Sequence, residues 1–240
     1  MREWLSEPHR FGHLIGFTKL TPAHDFWIRI FIERQHGSLR ALMAHRGSYK
    51  TTCGIVAMIL LMMLYPNIRI LIARKTEDMA KKLLQAIDRI LDLDIVRAWM
   101  FSAYGVKSLR TDRWTATQIR LAITTRIRPE PTLTAVGMAT AQTGDHYDYV
   151  WLDDVITVVD RYSAKERERT RVYIHEIASI VEPTGVRMLT GTPWHERDGF
   201  EILQSSGVHI HRFPIGSIEI AELTPEVIAE KKRTIPLGVW

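Results

Sequence analysis

Apolar and polar positions along the chain alternate between a helical and a strand rhythm. The first 37 residues carry Pro8, Gly12, Gly16 and Pro22, then Phe26, Ile30 and Ile32 among charges, which predicts a lead-in helix. After Gly37 short apolar runs take turns with helices. Leu39–Ala44 reads as a strand, a small-residue loop follows, and Thr51–Tyr65 reads as an apolar helix that Pro66-Asn67 ends. Ile68–Ala73 is apolar without strict alternation, as expected of a strand buried on both faces. Thr76 opens a helix with Met79, Leu83, Ile87 and Ile90 on one face. The stretch 94–147 is less regular: Gln118–Ile123 and Thr132–Val136 alternate like strands on either side of Pro129 and Pro131. Tyr149–Asp153 is a further buried strand. Ser163 and Glu166 have capping-box spacing before a helix with Tyr173, Ile177, Ile180 and Val181 inward. Pro183 and Gly185 close that helix, and Val186–Thr190 is the next strand. Strands alternating with helices predict an α/β fold with a mainly parallel central sheet.

Composition narrows the class. The chain has 240 residues, 46% hydrophobic and 25% charged, which suits one large core and excludes wholesale disorder or coiled coil. A single cysteine, Cys53, rules out an intramolecular disulfide and a multi-cysteine zinc site. The 32 basic against 27 acidic side chains leave a net charge of +5, compatible with a nucleic-acid partner without identifying one. The longest apolar run, Ile55–Tyr65, is short of the roughly 20 residues of a membrane span, and no secretory-type apolar region opens the chain. The expectation is a soluble cytosolic protein with no membrane partner.

Candidate chemistry gathers at three strand ends. The segment from Ala44 to Thr52 lies between a buried strand and a helix, where a phosphate-binding loop must lie. There backbone N–H groups at a helix N-terminus face phosphates, a lysine neutralises them and a hydroxyl reaches Mg²⁺. Lys50 and Thr51 stand in the order those last two roles need. Ala44 and Tyr49 occupy the positions of the usual glycines, so only Gly47 supplies backbone freedom. Arg46 is either a solvated loop cation or a charge for the γ-phosphate. A surface turn carrying a stray Lys-Thr pair would fit the loop equally well.

Val150-Trp-Leu-Asp153-Asp154 places two carboxylates at the C-terminal end of a strand, the edge that faces the ligand crevice in open α/β sheets. Asp153 is the candidate for Mg²⁺ and Asp154 for the attacking water; a turn acid followed by a helix cap is the alternative. Leu189-Thr-Gly-Thr-Pro193 ends another strand with hydroxyl-bearing residues, and Thr190 or Thr192 could sense the γ-phosphate or its water. An ordinary strand-to-loop turn is the plain alternative there.

Together these residues resemble the ATPase domain of the large terminase subunit, the DNA-packaging motor of tailed bacteriophages. The resemblance is carried, in collinear order, by Arg46-Gly-Ser-Tyr-Lys-Thr51, Pro66–Ile72, Pro129–Thr132, Ala135-Val-Gly137, Thr143–His146 leading into Trp151–Asp154, and Gly191–His195 with Asp198. It runs from about residue 20 to the end. What it implies is an ASCE/RecA-like P-loop NTPase core flanked by helices, over residues 38–240, with residues 1–37 as a lead-in on the adenine side. It implies ATP hydrolysis with Mg²⁺ coupled to translocation of double-stranded DNA in the host cytoplasm. The implied partners are a portal protein on the procapsid, a small terminase subunit and further copies in a ring. By position, Arg46, Gly47, Ser48, Tyr49, Lys50, Thr51 and Thr52 match the ATP-binding loop. Thr51 and Asp153 match the metal residues, and Lys50, Asp154 and Arg46 the catalytic ones. Thr190, Gly191 and Thr192 match the coupling motif. Two departures stand out: Pro193 replaces an arginine of many relatives, and the catalytic acid is Asp where Glu is commoner. Relatives continue into an RNase H-like nuclease domain; this chain ends at Leu237-Gly-Val-Trp240 with no acidic cluster left over, so nuclease activity is not expected of it.

Other classes remain open at this point. A helicase-like or remodelling ATPase would need a second lobe, for which no second phosphate loop is present, and a nucleotide-holding module would keep the loop without turnover. The mixed-sign run Lys165–Arg171 reads as a solvated helix face. Arg110, Arg113, Arg126 and Arg128 read as surface charges or as an arginine given to a neighbouring subunit. His24 and Asp25 lie where relatives contact adenine, or cap a helix after Pro22. His209 and His211 lack a third metal ligand, and Met58–Met63 is core.

Overall fold

The structure, a computed structural model, describes residues 1–33, 38–140 and 144–234. The expected boundary at Gly37, Thr143 and the terminal Leu237–Trp240 lie outside the described residues. Two short helices, α1 (Arg2–Ser6) and α2 (Pro8–Leu14), precede α3 (Asp25–Ile32). There follow β1 (Leu39–Ala44), α4 (Lys50–Leu64), β2 (Ile70–Arg74), α5 (Glu77–Leu91) and α6 (Asp94–Tyr104). Next come β3 (Gln118–Ile119), β4 (Leu133–Gly137), β5 (Tyr147–Asp153), α7 (Val158–Tyr162) and α8 (Ala164–Glu176). The chain continues with β6 (Val181–Gly191), α9 (Gly199–Ser205), β7 (Ile210–Phe213) and α10 (Pro225–Thr234).

The strands form one sheet in the order β3-β4-β2-β5-β6-β1-β7, parallel throughout except for β3. Parallel pairing sends each chain crossing over a sheet face, so both faces are covered. Leu42, Ile70, Ile72, Tyr149, Trp151 and Met188 pack on one face beneath α3, α4 and α5. Leu71, Ala73, Val150, Leu152 and Leu189 pack on the other with Ile174 of α8 and Phe200 of α9. Helix α4 explains the lead-in segment. From Cys53 to Met63 every residue is buried, so α4 needs a cover on the side away from the sheet. Phe11, Leu20, Trp27, Ile28 and Phe31 supply it.

The predicted strand and helix series holds, with local corrections. Phe26, expected inward, is about half exposed and meets His211 and Phe213 edge-on. The strand expected over Gln118–Ile123 shrinks to Gln118–Ile119, because Leu121 and Ile123 bury their side chains in a turn. Helix α6 goes unread in the sequence, since it buries only Val96 and Met100 and leaves Ile95 and Phe101 in solvent. Val181, Pro183 and Gly185, expected to end a helix, belong to β6. The proline lies at the exposed start of that strand, ahead of its regular pairing from Val186, where a missing N–H is tolerated. No helix among the described residues is long and apolar enough to cross a membrane.

Candidate functional site

Sheet register assembles the site. Met43 pairs with Gly191, Thr190 with Asp153, and Ala73 with Leu152. The C-terminal ends of β2, β5, β6 and β1 therefore line up, presenting Arg74, Asp153-Asp154, Thr190-Gly191-Thr192 and the loop after Ala44 along one edge. The order places β6 between the acid-bearing strand and the strand that enters the loop.

The loop turns through two left-handed residues, Gly47 at φ 80° and Tyr49 at φ 60°. Glycine takes that conformation freely, while a tyrosine there costs on the order of 1–2 kcal/mol. Tyr49 thus takes a left-handed backbone that a glycine would adopt without strain. It serves as N-cap of α4 without a capping side-chain bond, leaving the first amides of the helix directed at the loop. Ser48 Oγ, His45 Nε2 and His24 Nε2 are buried beside this loop and bond to nothing among the described residues. Burial lowers the affinity of both imidazoles for a proton.

Lys50 is buried, and its Nζ donates to Thr192 Oγ1 at 3.3 Å and lies 3.5 Å from Asp154 Oδ1. The Thr51 hydroxyl reaches both oxygens of Asp153 at 3.2 Å. The three sequence-predicted clusters, up to 142 residues apart, therefore converge. Asp153 is fully buried. It also accepts a 2.8 Å bond from Thr190 Oγ1, which in turn accepts one from the Trp151 indole at 2.8 Å. Asp154 is held by its backbone, whose N–H donates to Thr190 carbonyl at 2.9 Å, and has φ 47°. Thr192 also donates to the Ala44 carbonyl at 3.1 Å, tying the end of β6 to the start of the loop. Gly191 packs beneath Phe200. Arg46 lies exposed with its guanidinium 4.6 Å over the Trp194 ring. Thr52 lines a cavity of about 190 Å³ with Tyr49 and Gly16–Leu20.

Burial, and after it the adjacent Asp154 charge, push the Asp153 carboxyl up to about 6 against the pull of Arg74 and Lys50. The ordinary value for an aspartate is about 3.9. Between those two values the folded state keeps a proton that the unfolded chain has lost, so stability falls as pH rises through that window. Asp153→Asn is therefore expected to raise the melting temperature of the nucleotide-free chain at pH 7.5. The gain should fade toward pH 4. Thermal melts across pH check it; no gain, or a gain independent of pH, would refute it.

Several remaining sequence candidates are engaged elsewhere. Asp25 accepts from the His9 backbone and ring at 2.6 and 2.8 Å, and His24 closes a capping box with Thr21. Arg110 pairs with Asp88 and Asp92 over Trp114, Arg113 bonds to the Pro129 carbonyl, and Arg128 to the Asn67 carbonyl. In the mixed-sign helix, Arg169 pairs with Glu166 and Arg171 with Glu168, as a solvated face would. Asp198 caps α9 and gathers the amides of Trp194, His195 and Phe200.

For three residues of the site the role went unread. Arg74 contacts Asp153 at 3.1 Å and Asp154 at 3.4 Å; its signal was a charge ending an apolar strand. Trp151 orients Thr190, and Gly54 makes room for Trp151, since a Cβ there would lie 2.2 Å from the indole. Neither carries a pattern visible in one sequence.

No protein-family model matches the chain, and no curated protein matches its sequence. Solved structures do match its backbone. The large terminase ATPase domain of Thermus phage P74-26 superposes with a TM-score of 0.52 at 15% identity, over 95% of this chain and 93% of that one. An arginine-to-alanine mutant of that domain gives 0.53 at 16% identity, with the same coverage. In its backbone this chain shares the fold of that large terminase ATPase domain, a mainly parallel α/β sheet covered by helices on both faces.

Proposed function

We propose that the chain is the ATPase motor domain of a viral large terminase, hydrolysing ATP with Mg²⁺ to drive double-stranded DNA into a procapsid. The observation that carries this reading is the meeting of Lys50, Thr51, Asp153 and Asp154 at one sheet edge. The fold match supports it.

The donor set suits Mg²⁺. Thr51 and Asp153 offer hard oxygens, and among the described residues no group of three or more His, Cys, Asp or Glu side chains gathers into a metal cage. Mg²⁺ is commonly held by one or two carboxylates plus substrate phosphates, so Thr51 and Asp153 would hold it. Bound there, the ion would neutralise charge on the transferring phosphoryl group. Lys50 would release Asp154 and turn to the phosphates, which the amides at the start of α4 would cradle. Asp154, freed from Lys50, would orient the attacking water, and Thr192, which touches Lys50, would register the γ-phosphate. Arg46 would leave the Trp194 ring for the transferring group. The cavity beside Tyr49 and Thr52 would receive the base.

DNA, a portal, a small terminase subunit and neighbouring copies in a ring are the partners this reading calls for, so turnover by the isolated chain should be slow. Asp154→Asn tests hydrolysis against mere nucleotide holding. Binding of a fluorescent ATP analogue should stay within a few-fold while Mg²⁺-dependent phosphate release falls at least about a hundredfold. Unchanged phosphate release would sink the hydrolytic reading.

A further inference from the structure

The tip of β2 carries two adjacent cations that face different parts of the molecule. Arg74 bridges the acid pair, with its Nε 3.1 Å from Asp153 Oδ2 and a terminal nitrogen 3.4 Å from Asp154 Oδ2. Lys75 turns to the helices that follow β5, where its Nζ lies 3.2 Å from Asp160 Oδ2, 2.9 Å from Thr170 Oγ1 and 3.5 Å from Glu166 Oε2. Asp160 is buried and otherwise bonded only within α7–α8. It accepts from the Thr157 amide and hydroxyl and, at 2.7 Å, from Thr170.

We propose that Arg74-Lys75 is a strap between the nucleotide site and the α7–α8 pair. Arg74 is a positioning residue for Asp153 and Asp154, and Lys75 carries the state of that acid pair to α8. The inference rests on the reading of the acids as serving a nucleotide.

Electrostatics supplies the switch. Two neighbouring carboxylates, one fully buried, need compensating charge, and Lys50 and Arg74 provide it. Asp153 already shares its oxygens between Arg74 and the Thr51 hydroxyl. Any cation drawn to Thr51 and Asp153 competes with the guanidinium for the same carboxylate. Arg74 and Lys75 are consecutive, so a shift of one moves the other. Lys75 in turn grips a buried aspartate and cannot slide without moving α7–α8. The strap ends at helices that expose apolar side chains. Val158, Val159, Tyr162 and Val172 are exposed there beside Arg161 and Lys165.

Hydrogen exchange of the full chain with and without Mg²⁺ and a non-hydrolysable ATP analogue tests this, read separately in residues 46–52 and 158–176. The unaltered chain should respond several-fold in both segments. Arg74→Ala should respond in the loop alone. Lys75→Met by itself would strand a buried carboxylate, so it is combined with Asp160→Asn to leave the net charge of the cluster unchanged. That double variant should also respond in the loop alone. Arg74→Ala should further lower kcat about tenfold with little change in KM, and Arg74→Lys should recover part of it. An α7–α8 response preserved in both variants, or absent from an unaltered chain whose loop responds, would overturn the strap. No response anywhere in the unaltered chain would overturn the nucleotide reading and the strap with it.

Discussion

Lys50→Ala is expected to reduce Mg²⁺-dependent ATP turnover at least about a hundredfold and to weaken nucleotide binding. The lysine is the one cation that projects from the loop itself into the site, where it touches both the acid Asp154 and the hydroxyl Thr192. A buried ammonium reaching a triphosphate acts in a low dielectric, and no solvent cation takes its place when it is truncated. The same truncation leaves Asp153 and Asp154 with Arg74 as their remaining close cation, so the fold must be checked alongside turnover. Lys50→Ala should keep its far-ultraviolet circular dichroism and melt cooperatively. Lys50→Arg should restore charge without the point-like geometry and recover little turnover. Alanine and wild-type chains with equal turnover would show that Lys50 does not serve phosphate.

The largest expected loss of stability comes from Gly54→Ala. A methyl group there would lie 2.2–2.3 Å from two carbons of the Trp151 ring, far inside van der Waals contact. Trp151 is fully buried between α4 and the sheet and meets Phe31 edge-on, so it has little room to retreat. Overpacking of this kind costs about 1–3 kcal/mol, and the upper end is expected here. For a chain of this size that is a fall in melting temperature of roughly 6–12 °C. A functional loss should follow, because displacing the indole releases Thr190, and Thr190 holds Asp153. Cys53→Ala, one residue away, removes only a small buried group and serves as the comparison. Equal melting temperatures for Gly54→Ala and wild type would show that the helix shifts to accommodate the methyl.

Much of the fold was legible because α/β architecture writes itself in apolar runs. Leu39–Ala44, Ile68–Ala73 and Tyr149–Asp153 are buried on both faces and stand out against charged helices such as α5. Strand ends then located the candidate residues, since Asp153 and Thr190 lie at the ends of such runs and Lys50 follows one after a short loop. Marginal elements were lost. Helix α6 exposes Ile95 and Phe101, which blurs its periodicity, and β6 begins through Pro183 and Gly185, residues that locally signal a break. Tyr49 looked like a defect in the loop, yet its backbone takes the left-handed turn that the glycine would have provided. Trp151 and Gly54 gave no sign of their roles, which come from register and packing across the sheet, while Arg74 showed only as a charge ending an apolar strand.

A crystal structure of the chain with Mg²⁺ and a non-hydrolysable ATP analogue tests the central claim most directly. The account predicts one triphosphate beneath the start of α4, with Lys50 Nζ on its phosphates and the metal bound by Thr51 Oγ1 on the Asp153 side. A nucleotide bound elsewhere, or bound with Lys50 still on Asp154 and no metal near Asp153, would contradict it.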